Sequence, residues 1–262
     1  MPWLEGIGTV NGPKAVVDDQ TASAGQHVRA PRRLCVFSTI AVQSALEVLV
    51  PRFEADHGIH LDIAWNTAPA LVKRLQAGET ADVLILNRAG LDTMIGAGRV
   101  LPGSEAVLAS STTALAVRAG AARPDISTPE ALRQTLLAAR AISYTDPAAG
   151  GASGIHFAKV LARLGIAAEI DAKTTFPPPA GLSGAFLPTG EVDLAVQQKP
   201  ELLQVPGIDI LGPLPGDLHM VTVFVAGIEA ATAETVTAKA LIDFLRSPSV
   251  AEIFRAKGLD PA

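Results

Sequence analysis

Three places in this sequence end an apolar run in side chains that can donate hydrogen bonds to an anion. They are Ser38-Thr39 after Phe37, Asn66-Thr67 after Trp65, and Ser153 in the stretch Asp146-Pro147-Ala148-Ala149-Gly150-Gly151-Ala152-Ser153-Gly154. Each lies where a helical pattern begins. A helix start leaves backbone N–H groups unpaired and carries partial positive charge, so it holds an oxyanion without a lysine or arginine. The hydroxyls and amides beside it add donors that can be aimed. The same residue types are also ordinary helix caps, and one such turn taken alone reads as structure. Two of them in successive β-α units point to one sheet edge, where a shared pocket is the alternative reading. Gln197 and Gln198, after the apolar run 193–196, offer amide donors from further along the chain, or else form a solvated strand end.

Other chemistries find less footing. Arg118 closes the long apolar run 107–117, where it either faces a cleft and pairs a carboxylate or points to solvent. The glycine-rich stretch has neither the GxxxxGK[ST] lysine nor GxGxxG spacing, so a small oxyanion on the N–H groups of 152–154 fits it better than a nucleotide. His156 and His219 have no second ligand at a metal spacing, so no metal or cofactor is expected. Asp82, before an apolar run, reads as a turn or cap. No G-x-S-x-G elbow occurs, and no Ser/His/Asp set can be placed. The single Cys35 excludes an intrachain disulfide and a thiolate metal site, and its apolar neighbours make it a buried structural thiol.

The elements that position these residues follow from the alternation of short apolar runs with helical periodicity. With 262 residues, 48% hydrophobic and only 4% aromatic, the chain has an ample aliphatic core. A net charge of -5 without a basic cluster excludes a nucleic-acid footprint. From Leu34 the pattern is α/β with a largely parallel sheet. Strands are expected at 34–37, 59–65, 83–86 and 107–117, with helices at 40–56, 70–77 and 89–97 between them. Ser127-Thr128-Pro129-Glu130 starts a helix and opens a second lobe. That lobe has strands at 141–143, 173–176, 193–196 and 208–211 and a helix at 154–164, with Pro177-Pro178-Pro179 in a loop. A second long strand at 220–226 and helices at 232–246 and 249–257 close the chain. Two crossovers imply a hinge and a cleft between two lobes: lobe 1 at 34–112 plus 226–262, and lobe 2 at 113–225.

The pieces VFSTIAVQSALEVL, WNTAPALVKRLQAGETADVLIL, STPEAL, SYTDPAAGGASGIHFAKVLARLGI and VDLAVQQKPELLQVPGIDILGPLP resemble the molybdate-type solute-binding proteins of ABC transporters. These belong to the type 2 periplasmic-binding-protein superfamily. The resemblance runs from Leu34 to Leu259. It implies a two-lobed fold that closes on a ligand held by Ser38, Thr39, Asn66 and Thr67 from one lobe and Ser153 and the Gln197 region from the other, with Arg118 a further candidate. It also implies a monomer working with a transporter permease. One departure counts against molybdate itself. The molybdate binders use a tyrosine late in the second lobe, whereas the only tyrosine here, Tyr144, precedes the glycine-rich stretch. A second reading, of a different class, is an aconitate-isomerase-like enzyme of the same family, which moves a double bond in a tricarboxylate by proton transfer. Arg118 would then anchor a carboxylate, and His156 or His219 would be the base.

The resemblance implies a periplasmic location. Residues 1–33 contain no apolar stretch of the roughly 7 to 15 residues that a secretory signal needs, and read as a disordered leader, so a cytoplasmic location stays open. No apolar run of about 18 residues occurs that would span a membrane.

Overall fold

A computed structural model describes residues 32–262, and the expected leader lies outside the described residues as far as residue 31. The first lobe is a sheet built from β1 (Arg32–Thr39), β2 (Ile59–Asn66) and β3 (Val83–Asn87), all parallel, with a helix after each. These are α1 (Gln43–His57), entered through a 3-10 turn at Ile40–Val42, then α2 (Ala68–Gln76) and α3 (Arg88–Gly96). The chain then enters the 13-residue strand β4 (Ala106–Arg118).

The second lobe carries α4 (Pro129–Ala138), β5 (Ile142–Tyr144), α5 (Ala152–Arg163), α6 (Ala167–Asp171), β6 (Thr174–Thr175), α7 (Phe186–Thr189), β7 (Leu194–Gln198), α8 (Lys199–Leu202) and β8 (Ile208–Pro213). The chain returns to the first lobe as β9 (Val221–Ile228), α9 (Thr235–Leu245), α10 (Pro248–Ala256) and β10 (Asp260–Pro261). The strand order is β2-β1-β3-β9-β4-β7-β5-β6, with β8 and β10 also on β4.

The crossing is written into β4. Its residues Ala106 to Thr112 pair with β9, and Thr113 to Arg118 pair with β7 and β8. Bulges between Val107 and Ala109 and between Leu115 and Ala116 flank the crossing, and a bulge raises local twist, so the two halves of one strand serve two sheets. β8 and β9 lie end to end along β4, interrupted by the 3-10 turn Gly216–Leu218. That interruption is the second crossing. β9 pairs inside the first sheet from Val221 onward, so residues 221–225 sit there.

Each sheet is covered on both faces, which is why its strands read as apolar runs without alternation. In the first lobe, Leu49 and Phe53 of α1 with Leu241 and Phe254 fill one side, and Leu71, Leu75 and Leu91 fill the other. In the second lobe, Leu132, Phe157 and Leu161 cover one face, and Leu187 and Leu202 the other. Tyr144 is buried in the first of these layers against Phe157, with its hydroxyl on Asp171, so it points away from the lobe boundary. The short helices α6 and α8 are absent from the expected pattern because four or five residues carry no periodicity to read. Cys35 is half-buried rather than buried. Asp82 ties β3 to its surroundings by accepting from the Cys35 N–H and the Thr232 hydroxyl, as a turn residue would.

Candidate functional site

Parallel register brings the first-lobe turns level. Thr39 is paired with Asn66 across β1 and β2, and Ser38 with Ile85 across β1 and β3, so the C-terminal ends of three strands share one edge. In the second lobe Tyr144 is paired with Val196, which sets Thr145 beside Gln197. The two edges face each other across a cavity of about 600 Å³, its open mouth included. Thr39, Thr67, Asn87, Thr222 and Phe224 line it from the first lobe, and Thr145, Asp146, Ser153, Gln197, Gln198 and Glu201 from the second.

Two helices of ordinary length begin on this cavity without a side-chain cap. Thr67 is the N-cap residue of α2 in extended conformation, yet its hydroxyl donates instead to Ala149 O across the lobe boundary, at 3.2 Å. Leu71 is the first α2 residue whose N–H returns to the helix, and Pro69 has none to offer. Gly151 is the N-cap of α5 and has no side chain to offer, while Ile155 is the first residue to bond back, to Gly151 O. The N–H groups of Ala152, Ser153 and Gly154 are therefore those left over at this helix start.

Glycine makes that start possible. Gly150 sits at φ +79, and Asp146 accepts from Ala148 N–H to fold the turn before it. A Cβ on Gly154 would lie 2.0 Å from the Thr145 carbonyl oxygen, so α5 tucks under Thr145 only because residue 154 has none. Opposite, the Pro177-Pro178-Pro179 loop walls the cavity and ends at Ala180, which holds φ 61. Among the described residues it is the only non-glycine in that region of backbone space, a conformation that surrounding structure must enforce.

The two glutamines divide. Gln197 spends its carboxamide on the loop, accepting from Ser183 N–H at 2.7 Å and donating to Gly181 O at 3.1 Å. Gln198, 3% exposed, donates to the Thr222 hydroxyl at 2.7 Å across the lobe boundary, and its Oε1 has no partner. A carboxamide accepts from a hydroxyl as readily as it donates to one, so half a turn about its last bond leaves its N–H groups free for an anion. Both residues are the last two of β7 rather than a loop after it.

The ionisable side chains among the described residues of the cavity wall are both carboxylic, Asp146 and Glu201; no lysine, arginine or histidine is among them. Glu201 is 5% exposed and accepts from the Gln198 backbone N–H at 3.2 Å. Burial drives its proton affinity up, the Gln198 N–H and the Gln197 amide pull it back, and the pKa comes out at about 7.

The expected site residues separate accordingly. Thr39, Thr67, Ser153 and Gln197 meet at the cavity. Ser38 does not reach it: the residue is 0% exposed, with its hydroxyl on Thr39 O at 3.4 Å, because side chains alternate along β1 and Ser38 points away. Asn66 turns back on its own backbone and accepts from Thr67 N–H. Arg118 stands apart from them. It lies five residues past the crossing at Thr113, roughly 17 Å at strand rise, in a separate outer groove with Arg123, Arg140 and Asp193. His156 is bonded to Leu218 O and His219 lines a surface groove, so neither reaches the cavity. Sequence reasoning missed Thr145, Thr222 and Glu201. For Glu201 the one signal present was Pro200 after a strand end, which marks a helix start.

The family described as bacterial extracellular solute-binding protein matches residues 34–260. An aconitate isomerase from Pseudomonas sp is 33% identical over 234 residues, 87% of this chain and 87% of that one. The molybdate-binding protein ModA of Escherichia coli (strain K12) is 22% identical over 242 residues, 90% of this chain and 92% of its own. In three dimensions the periplasmic molybdate-binding protein of Azotobacter vinelandii superposes with a TM-score of 0.70 at 20% identity, over 86% of this chain and 98% of that one.

Proposed function

The chain belongs to the family of bacterial extracellular solute-binding proteins, and from that premise we propose that it captures one small anion between its lobes by hinge closure, as the soluble component of an ABC transporter acting outside the cytoplasmic membrane. The observation that carries the reading is the cavity itself. The starts of α2 and α5 open on it from opposite lobes without side-chain caps, and hydroxyls of Thr39, Thr67, Thr145, Ser153 and Thr222 surround it. Such donors hold an anion by dipoles rather than by countercharge. Two hydrogen bonds join the lobes, Thr67 to Ala149 O across the cavity and Gln198 to Thr222 beside the strand crossing, and the first is of the kind that a closed form gains. Among the described residues no helix is long and apolar enough to cross a membrane.

A panel of molybdate, tungstate, sulfate, citrate and the two aconitates tests this directly. An anion at about 100 times its dissociation constant stabilises the folded chain by about 2.7 kcal/mol, which raises the thermal midpoint of a domain this size by roughly 5 to 10 °C. No shift with any of the six would end the reading. Thr67→Ala is expected to leave the anion-free midpoint within about 2 °C while weakening the best anion about fivefold, the worth of one neutral hydrogen bond. Unchanged affinity in a calorimetric titration would remove Thr67 from the site.

A second reading is favoured by the 33% identity to an aconitate isomerase. Moving a proton between carbons calls for a base with proton affinity near neutrality, and of the two acids on the wall Glu201 has it. With Arg118 and both histidines outside the cavity, the carboxylates of such a substrate would be held by the same neutral donors. A change in the ultraviolet spectrum of cis-aconitate on adding protein supports this reading; stabilisation by tetrahedral oxyanions alone, with no spectral change, rejects it.

A further inference from the structure

The geometry points to Glu201 as the residue that decides what the cavity accepts: we propose that it takes part as a neutral acid, so that an anion enters together with one proton. This rests on the anion-capture reading above. Glu201 lies on the cavity wall yet is almost wholly buried, on a four-residue helix wedged between β4, β7 and β8 of its own lobe and the Ile40–Val42 turn of the other.

Countercharge is missing on every side of it among the described residues. β7 and the Ile40–Val42 turn contain no charged residue. β4 contains only Arg118, at its far end in the outer groove. β8 contains only Asp209, which is bonded to Gly120 N–H. Lys199, on the helix itself, and the neighbouring Gly258 pack on the side of α8 that meets the chain end. The other acid on the wall, Asp146, is engaged with Ala148 N–H.

An ionised Glu201 would thus stand unpaired beside an incoming anion in a space of low dielectric, and that repulsion has no nearby cation to offset it. Neutral, it becomes a donor. Next to it Gln198 keeps a buried carboxamide oxygen without a partner, an acceptor that the protein alone does not use. The nearness of its proton affinity to neutrality is consistent with that role. The selection that follows is chemical: the cavity favours anions that share a proton at near-neutral pH.

Calorimetric titration of the full chain with molybdate and with cis-aconitate, from about pH 6.5 to about pH 8.5 in two buffers of different ionisation heat, tests it. In the wild type, proton uptake per anion is expected to rise from a minor fraction at about pH 6.5 towards one at about pH 8.5, with affinity weakening about tenfold or more across the range. In Glu201→Gln the same probes should bind with no such uptake beyond the probe's own protonation, and with affinity changing less than about twofold once that is subtracted. A wild-type affinity that is flat across the range, or a pH slope that survives in Glu201→Gln, overturns the assignment while leaving anion capture intact. If neither probe nor any other panel anion binds, the capture reading fails and the inference falls with it. Should the variant not fold, infrared difference spectra of the unaltered protein at about pH 8 decide instead. A neutral carboxyl band gained on binding supports the assignment, and its absence overturns it.

Discussion

Gly154→Ala is expected to lower the thermal midpoint by roughly 6 to 12 °C and to abolish anion binding, although it adds a single methyl group. The new Cβ would sit 2.0 Å from the Thr145 carbonyl oxygen, an atom of the backbone rather than the movable end of a side chain. Relief requires the start of α5 to back away from β5. Overpacking against groups that cannot yield costs about 3 kcal/mol or more, which at the scale of this domain is the drop in midpoint just given. The displaced segment is the uncapped start of α5, whose Gly151, Ala152 and Ser153 line the cavity, so binding is expected to go with it. Gly96→Ala is the control: it ends α3 with nothing within 4 Å of the added carbon. Alanine there is expected to be neutral or to stabilise by up to about 1 kcal/mol. Equal midpoints for the two variants in a thermal melt would show that the close approach at Thr145 is not the constraint it is held to be.

Glu201→Gln is expected to flatten the dependence of stability on pH. The carboxyl titrates at about 7 in the folded chain against an ordinary 4.5, because it is buried. A group whose folded proton affinity is raised holds its proton in the folded state after the unfolded state has lost it. Its contribution is therefore complete below about pH 4.5, declines as pH rises from there, and is gone above about pH 7. The amount at stake is on the order of 3 kcal/mol. The wild-type midpoint should fall across that window more steeply than that of the amide variant, which keeps an acceptor for the Gln198 N–H and cannot ionise. Parallel melting curves from about pH 5 to about pH 8 for both proteins would be incompatible with a buried, neutral Glu201.

The two variants bear on different things. On the proposed reading, Gly154 shapes the anion's seat through backbone geometry, and Glu201 sets the charge that the seat tolerates. Reading the sequence alone reached the first, since a glycine-rich stretch opening a helix is a local signal. It did not reach the second. Glu201 follows a strand end by three residues in a segment too short to show periodicity, and it looks like any solvated acid until β4 and the opposite lobe are laid over it. His156, His219 and Arg118 are the converse case, reactive types that lie away from the cavity and whose position in the chain gave no measure of that distance.

What the sequence determined by itself is the local part: strands from apolar runs buried on both faces, helix starts from Thr-Pro and glycine-rich turns, and hence the level row of turns that carries Thr39 and Thr67. Those features depend on neighbours a few residues away, and their physics is propensity, capping and parallel register. The tertiary structure alone decided which donors point inward, that Arg118 lies a strand's length from the cleft, and that Glu201 is sealed from water. The reason is that solvation and electrostatics follow from every atom within several ångströms, whatever its place in the chain, and at this cavity those atoms come from segments more than a hundred residues apart.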